Sequence, residues 1–277
     1  TLRKENLLAE ESKHRPDTLD CLPLIREHFG EKLECQNPDG WKEAHARLYE
    51  YYKNLPEKLY GKELPDTLEE MEPLFAAVMH GCLAGKHQET VIDICWNRIR
   101  RQQEFYTWHK LGAFGADLSC VSSFFETFWD KPATCLDDNF KAGVLNWAGF
   151  DLRALGRLSE AAQPMKASLE LRIEQENWSE SAIDASNLSE LYLSLGEVAF
   201  SQRCAEQSVT FADKSGNNFM KVVSRTTHAN VLHQAGENRD AEKLFIEAET
   251  MQKNDQPECT LLFSLRGFNY CDLLLYQ

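Results

Sequence analysis

The chain has 277 residues, is 43% hydrophobic and carries a formal net charge of −14. That supplies enough apolar side chain for a core and argues against non-specific nucleic-acid binding, which needs clustered lysine and arginine against phosphates. No apolar run approaches the roughly 20 residues that span a bilayer, and the polar stretch Thr1 to Glu11 is not a signal peptide. The nine cysteines show no paired spacing. Cys82, Cys95, Cys120, Cys204 and Cys271 read as small buried hydrophobes within helices, which fits a reducing cytoplasm.

Taken in chain order, residues 1–53 open with an expected short helix over Leu2 to Glu10 and a short strand at Thr18 to Leu22. Pro23 then opens a helix over Leu24 to Leu33, in the first-turn position that proline tolerates. The run Leu22-Pro23-Leu24-Ile25-Arg26-Glu27-His28-Phe29 resembles the closing segment of the winged-helix domain in bacterial STAND ATPases of the NB-ARC and NACHT-like class. There the segment usually reads His-Pro-Leu-Val/Ile-Arg-Glu-His/Tyr-Phe. The family histidine that helps sense nucleotide corresponds to Leu22, which cannot hydrogen-bond a phosphate.

Trp41 to Tyr52 predicts an amphipathic helix with Trp41, Ala44, Leu48 and Tyr51 or Tyr52 on one side. Asn54 to Asp66, with Pro56, Gly61 and Pro65, predicts a linker. Thr67 and Glu70 have capping-box spacing ahead of a helix carrying Leu74, Phe75, Val78 and Met79. Further helices are expected over Gln88 to Glu104, Tyr106 to Asp117 and Leu118 to Trp129, with a break at Lys131-Pro132-Ala133. Arg98, Arg100 and Arg101 are the densest basic cluster and read as a solvated helix end. Residues 54–135 thus form an irregular helical region that includes a degenerate repeat near Met71, where Gly85, Glu89 and Thr90 echo a signal that recurs later.

That signal organises residues 136–277. Leu155-Gly156-Arg157-Leu158-Ser159-Glu160-Ala161, Leu195-Gly196-Glu197 with Ser201, and Ala235-Gly236-Glu237-Asn238-Arg239-Asp240-Ala241 place glycines at 156, 196 and 236. A fixed period of this length means stacked supersecondary units. Val144, Leu145, Ala148, Leu152 and Leu155 line one helical face, and Gly156 closes that helix as a left-handed cap. Ser159 reads as the cap of the next helix, with Ala161, Met165, Ser168 and Leu169 inward. A fourth unit begins near Leu262 and offers Phe263, Leu265, Phe268, Cys271 and Leu274.

The pattern Leu-Gly-x-x-x-Glu-Ala, with an aromatic four residues on (Phe245 after Ala241), resembles the tetratricopeptide repeat. The spacing here exceeds that family's usual period of about 34 residues. The resemblance implies an all-α fold, a right-handed α-solenoid of extended tetratricopeptide hairpins. With the winged-helix tail it implies the sensor region of a STAND ATPase whose ATPase lies upstream. The uncapped final helix and the missing initiator methionine are read as the cut ends of a longer polypeptide.

Catalytic signatures are absent. Gly81-Cys82-Leu83-Ala84-Gly85-Lys86-His87 has three residues between its glycines where a P-loop needs four, and histidine where Ser or Thr must bind magnesium. His80, Cys82 and His87 lack the second ligand pair of a zinc site. No cofactor motif, H-E-x-x-H or G-x-S-x-G is present.

The family's concave positions, carried over from the glycine register, are Asn146, Phe150 and Arg153; Ser186, Asn187, Glu190 and Leu193; Thr226, Asn230 and His233; and Arg266 and Tyr270. Asn187 and Asn230 are expected to bond a polypeptide backbone, and Arg153 and Arg266 to meet acidic groups. The lysines that clamp a C-terminal carboxylate in chaperone-binding members are missing. The expected partner is a protein or peptide, with no nucleic acid and no membrane. A free-standing scaffold is the alternative, and a cysteine hydrolase a remote one.

Overall fold

The computed structural model describes residues 21–276. The expected helix over Leu2 to Glu10 and the strand residues before Cys21 lie outside them. The chain forms two compact units, Thr1–Gln103 and Glu104–Gln277.

In the first unit, α1 (Pro23–Gln36) starts with proline in its first turn and buries none of its side chains. The α2 helix (Pro38–Tyr60) is longer than expected: it runs through Pro56 and ends on Gly61 in the left-handed conformation, so the linker shrinks to the residues after it. A proline costs one backbone donor, and here the helix continues for only four residues past it. Thr67 caps α3 (Leu68–Leu83) by accepting from Glu70 N–H at 3.2 Å. The Glu70 carboxylate reaches back to the Asp66 N–H at 2.9 Å, one residue before the cap. Met71, Leu74, Ala77 and Val78 are fully buried, whereas Met79 faces solvent. His45 of α2 and His80 of α3 share a 2.8 Å Nδ1–Nδ1 hydrogen bond, with Tyr52 stacked on His80.

The helix expected from Gln88 is regular only over α4 (His87–Thr90) and continues as a π-helix over Val91–Ile99. Its wide winding is registered by the Arg100 N–H donating five residues back to Cys95. The basic cluster is not a solvated end. Arg98 is 8% exposed and donates to the carbonyls of Lys53 and Glu63. Arg100 is fully buried, and Arg101 bonds Pro65 O and Asp66. The guanidiniums tie the 61–67 connection to α2 and the π-helix, because a planar fork of donors satisfies several backbone carbonyls at once.

The second unit opens with two short helices, α5 (Tyr106–His109) and α6 (Phe114–Ser122), in place of the longer ones expected. The sequence after Ser122 is not helical. Phe125–Thr127 pairs antiparallel with Lys131–Pro132 in a two-stranded hairpin, with Trp129 at positive φ in the turn. The Phe-Glu-Thr-Phe-Trp run has the aromatic and β-branched composition of a strand, and Pro132 sits where an edge strand needs no N–H donor.

The repeats follow as hairpins: α7 (Asp138–Ala154) with α8 (Leu158–Glu174), α9 (Trp178–Ser194) with α10 (Val198–Ser215), and α11 (Asn218–Gln234) with α12 (Asn238–Asp255), then α13 (Ser264–Tyr276). Each helix packs on its hairpin partner, and α8 on α9, α10 on α11 and α11 on α13 continue the stack. Gly156, Gly196 and Gly236 have φ of 77°, 79° and 83°. The next N–H donates to the carbonyl five residues back (Arg157 to Leu152, Glu197 to Tyr192, Glu237 to Leu232), closing a Schellman turn three times. Gly85 makes the same turn after α3, with Lys86 N–H on Gly81 O.

The second helices carry no side-chain cap: Arg157, Glu197 and Glu237 occupy the N-cap positions and Ser159 lies inside α8. The tight turn leaves one residue between glycine and helix. Capping falls instead on the first helices, where Asp137, Asn177 and Asn217 accept from the N–H three residues on. The inner small positions Ala161, Ser201 and Ala241 are fully buried. In the fourth unit Leu262 and Leu273 are buried, while Phe263, Leu265, Phe268 and Leu274 are exposed, as is Cys271, which was expected to be buried.

A β-carbon at Gly196 meets nothing within 4 Å, so Gly196→Val is strained only through its φ. A loss of about 1–2 kcal/mol is expected in urea denaturation. An unchanged midpoint contradicts the cap.

Candidate protein-interaction face

The 40-residue step puts the carried-over positions other than Asn187 on α7, α9, α11 and α13 in three rows. Asn146, Ser186, Thr226 and Arg266 form the first, and it is largely committed to the protein itself. Asn146 donates to the buried carboxylate of Asp184. Ser186 and Thr226 are buried, with Thr226 Oγ1 on Val223 O at 2.8 Å. Arg266 lies over the rings of Phe219 and Phe263 at 5.1 and 4.9 Å.

The second row is Phe150, Glu190, Asn230 and Tyr270, and all four are half-exposed. It offers an aromatic ring at each end with a carboxylate and an amide between. Tyr270 stacks on Phe245 at 4.8 Å. The third row is Arg153, Leu193 and His233. Leu193 is half-exposed, whereas His233 is buried and bonded to Asn238 and to Asp272 of α13, so it serves the stack.

Phe150, Arg153, Ala154, Asn187 and Glu190 surround an open groove of about 380 Å³. Arg153 Nη2 donates to Glu190 Oε2 at 2.7 Å, with a longer contact from Nη1 to Asn187 O. This arginine was expected to await acidic groups; it already has a carboxylate. The side-chain amides of Asn187 and Asn230 make no hydrogen bond to the described residues.

The sequence reading missed the aromatic wall that backs Phe150. Trp108 stacks on Phe150 at 4.3 Å, and Phe105 stacks on Trp108 at 5.0 Å. Buried Asp117 holds this wall: Oδ2 accepts from Trp108 Nε1 at 3.1 Å and Oδ1 from Thr107 Oγ1 at 2.9 Å. Nothing periodic links residues 105–117 to the array. Asp184 was also missed, although a lone acid among Ala182, Ala185 and Leu188 is a legible anomaly.

No family model and no curated protein matched the chain. Among solved structures it is similar to a Podosopora anserina protein described as putative kinesin light chain nearly identical TPR-like repeats. Identity is 12% and the TM-score 0.42, over 85% of this chain and 98% of that one. A singly substituted form of that same protein gives 13% and 0.43, over 84% and 96%. At these values the tetratricopeptide-like fold rests on the repeated Schellman turns, the buried small residues and the hairpin packing. Among the described residues no helix is long and apolar enough to cross a membrane, and no group of three or more His, Cys, Asp or Glu is arranged to hold a metal.

Proposed function

We propose that the chain is a protein-interaction scaffold that holds an extended polypeptide against α7, α9, α11 and α13. The observation that carries this reading is the half-exposed row Phe150, Glu190, Asn230 and Tyr270, whose first two members line the groove beside Asn187. Asn187 and Asn230 present amides that can each donate to and accept from a peptide backbone. Stacked repeats of this kind characteristically bind along such a surface.

Selection of a random dodecapeptide display library on the purified protein tests the reading. Peptides bound by wild type are expected to lose about tenfold or more in affinity for the Asn187→Ala, Asn230→Ala double variant, two paired amides being worth roughly 1 kcal/mol each. Selected peptides that bind both proteins equally contradict it.

The finer proposal is that this face is the sensor of a STAND-type signalling ATPase. It is supported by the resemblance of Leu22 to Phe29 to a winged-helix closing segment and by the long repeat. A free-standing scaffold uses the same face. The full reading frame separates the two: a Walker A motif upstream supports the ATPase, and its absence favours the scaffold.

A further inference from the structure

The groove has an asymmetry that specifies its ligand. At one end Phe150 forms a ring surface with Trp108 behind it. One helix further on stands Glu190, whose Oε2 is taken by Arg153 while Oε1 accepts no hydrogen bond from the described residues. Arg153 already donates to Glu190 and approaches Asn187 O, so an incoming acid has to displace a carboxylate to reach it. An incoming guanidinium or ammonium displaces nothing. It meets an open carboxylate oxygen and enters the field of a chain with net charge −14. Elsewhere in the array Arg266 is already held on two rings.

Spacing completes the argument. Phe150 and Glu190 line one groove of about 380 Å³, roughly 9 Å across if taken as a sphere. A polyproline-II segment has three residues per turn and rises about 3.1 Å per residue, so every third side chain returns to the same side after about 9 Å. We infer that the groove selects an extended peptide with an aromatic or large apolar side chain on Phe150 and, three residues away, an arginine or lysine on Glu190. This rests on the scaffold reading above and adds the ligand's chemistry and register. The neighbouring amide of Asn187 is placed for the intervening backbone.

The same display selection tests it, followed by binding of a fluorescein-labelled Ser-Gly-Trp-Ser-Ser-Arg-Gly-Ser peptide and of its mirror order Ser-Gly-Arg-Ser-Ser-Trp-Gly-Ser. Selected peptides should be enriched in an apolar and a basic residue at three-residue separation. The tighter of the two probes should lose about tenfold in affinity for Glu190→Gln and should weaken as salt rises. Glu190→Arg should restore binding when the probe's arginine is replaced by glutamate. The half-exposed pair contributes little to folding, so an unchanged melting temperature of Glu190→Gln confirms that binding alone is read. Peptides that depend on Asn187 and Asn230 but are enriched in acids, or bind Glu190→Gln as well as wild type, overturn this inference and leave the scaffold reading standing. Absence of any peptide sensitive to Asn187 and Asn230 overturns both.

Discussion

Phe245→Ala should cost about 3–5 kcal/mol, the largest loss expected of any single truncation in the array. Phe245 is fully buried in α12 among Val222, Ala229, Leu232, Ala241, Ala248, Leu262 and Leu273, with its ring stacked on Tyr270. Three of those neighbours are alanines, which have no side-chain length with which to fill the space left behind. The cavity penalty therefore adds to the lost transfer energy. Because repeats interact mainly with their neighbours, the loss should be local. Hydrogen exchange should accelerate across α11, α12 and α13 while amides of α7 and α8 keep their protection. Loss below about 1 kcal/mol, or uniform acceleration across the array, contradicts the packing described.

Asp184→Asn should stabilise the protein at about pH 8 and remove a pH dependence that wild type shows between about pH 4 and 7. Asp184 is 2% exposed in α9. Burial pushes its carboxyl up to about 7; Ser168 Oγ at 2.6 Å, the Arg172 charge and Asn146 pull it back, and Glu180 adds to the rise. The folded state therefore keeps a proton that the unfolded chain releases. Stability is fullest below the unfolded pKa near 4 and falls as pH rises through 7, by up to about 4 kcal/mol for a shift of this size. Asparagine keeps the shape without the buried charge: its Oδ1 can accept from Asn146 and its Nδ2 can donate to Ser168 Oγ, which still donates to Ala142 O. Urea titrations of both proteins across that range give the difference curve, in which other ionisable groups cancel. A flat difference, or a variant less stable than wild type at about pH 8, contradicts the assignment.

The regular part of the fold was legible because its determinants are local and periodic. The glycines at 156, 196 and 236 mark positive φ, and Leu152, Ala148 and Leu145 recur at helical steps. A second periodic signal lay unread in Asp137, Asn177 and Asn217, the caps of the first helices, also 40 residues apart. The irregular part was less legible because tertiary contacts decide it. Arg98 to Arg101 look like a solvated cluster until the carbonyls of residues 53, 63 and 65 close around them. The apolar residues 118–129 suit a helix by pattern, but their aromatic content turns them into a hairpin after Ser122.

The candidate face divides the same way. The glycine register placed Phe150, Glu190, Asn230 and Tyr270 in one half-exposed row. It also carried over Ser186, Thr226 and His233, which the stack buries. Helical phase alone does not separate a groove wall from the seam beside it, since one residue of rotation moves a side chain by about 100°. The wall of Phe105 and Trp108 comes from outside the repeats, so no register reaches it.

The most direct measurement of the central claim is site-specific photo-crosslinking from the groove. A photo-reactive phenylalanine in place of Ala154, which lines the groove, should crosslink one extended segment of a partner polypeptide in extract of the native host. The same residue in place of exposed Glu170 on α8 should not capture that segment. Mass spectrometry of the adducts reads the outcome. Crosslinks confined to position 154 and mapping to one contiguous stretch are the expected result. Equal capture from both positions, or capture from position 170 alone, contradicts binding along the first helices.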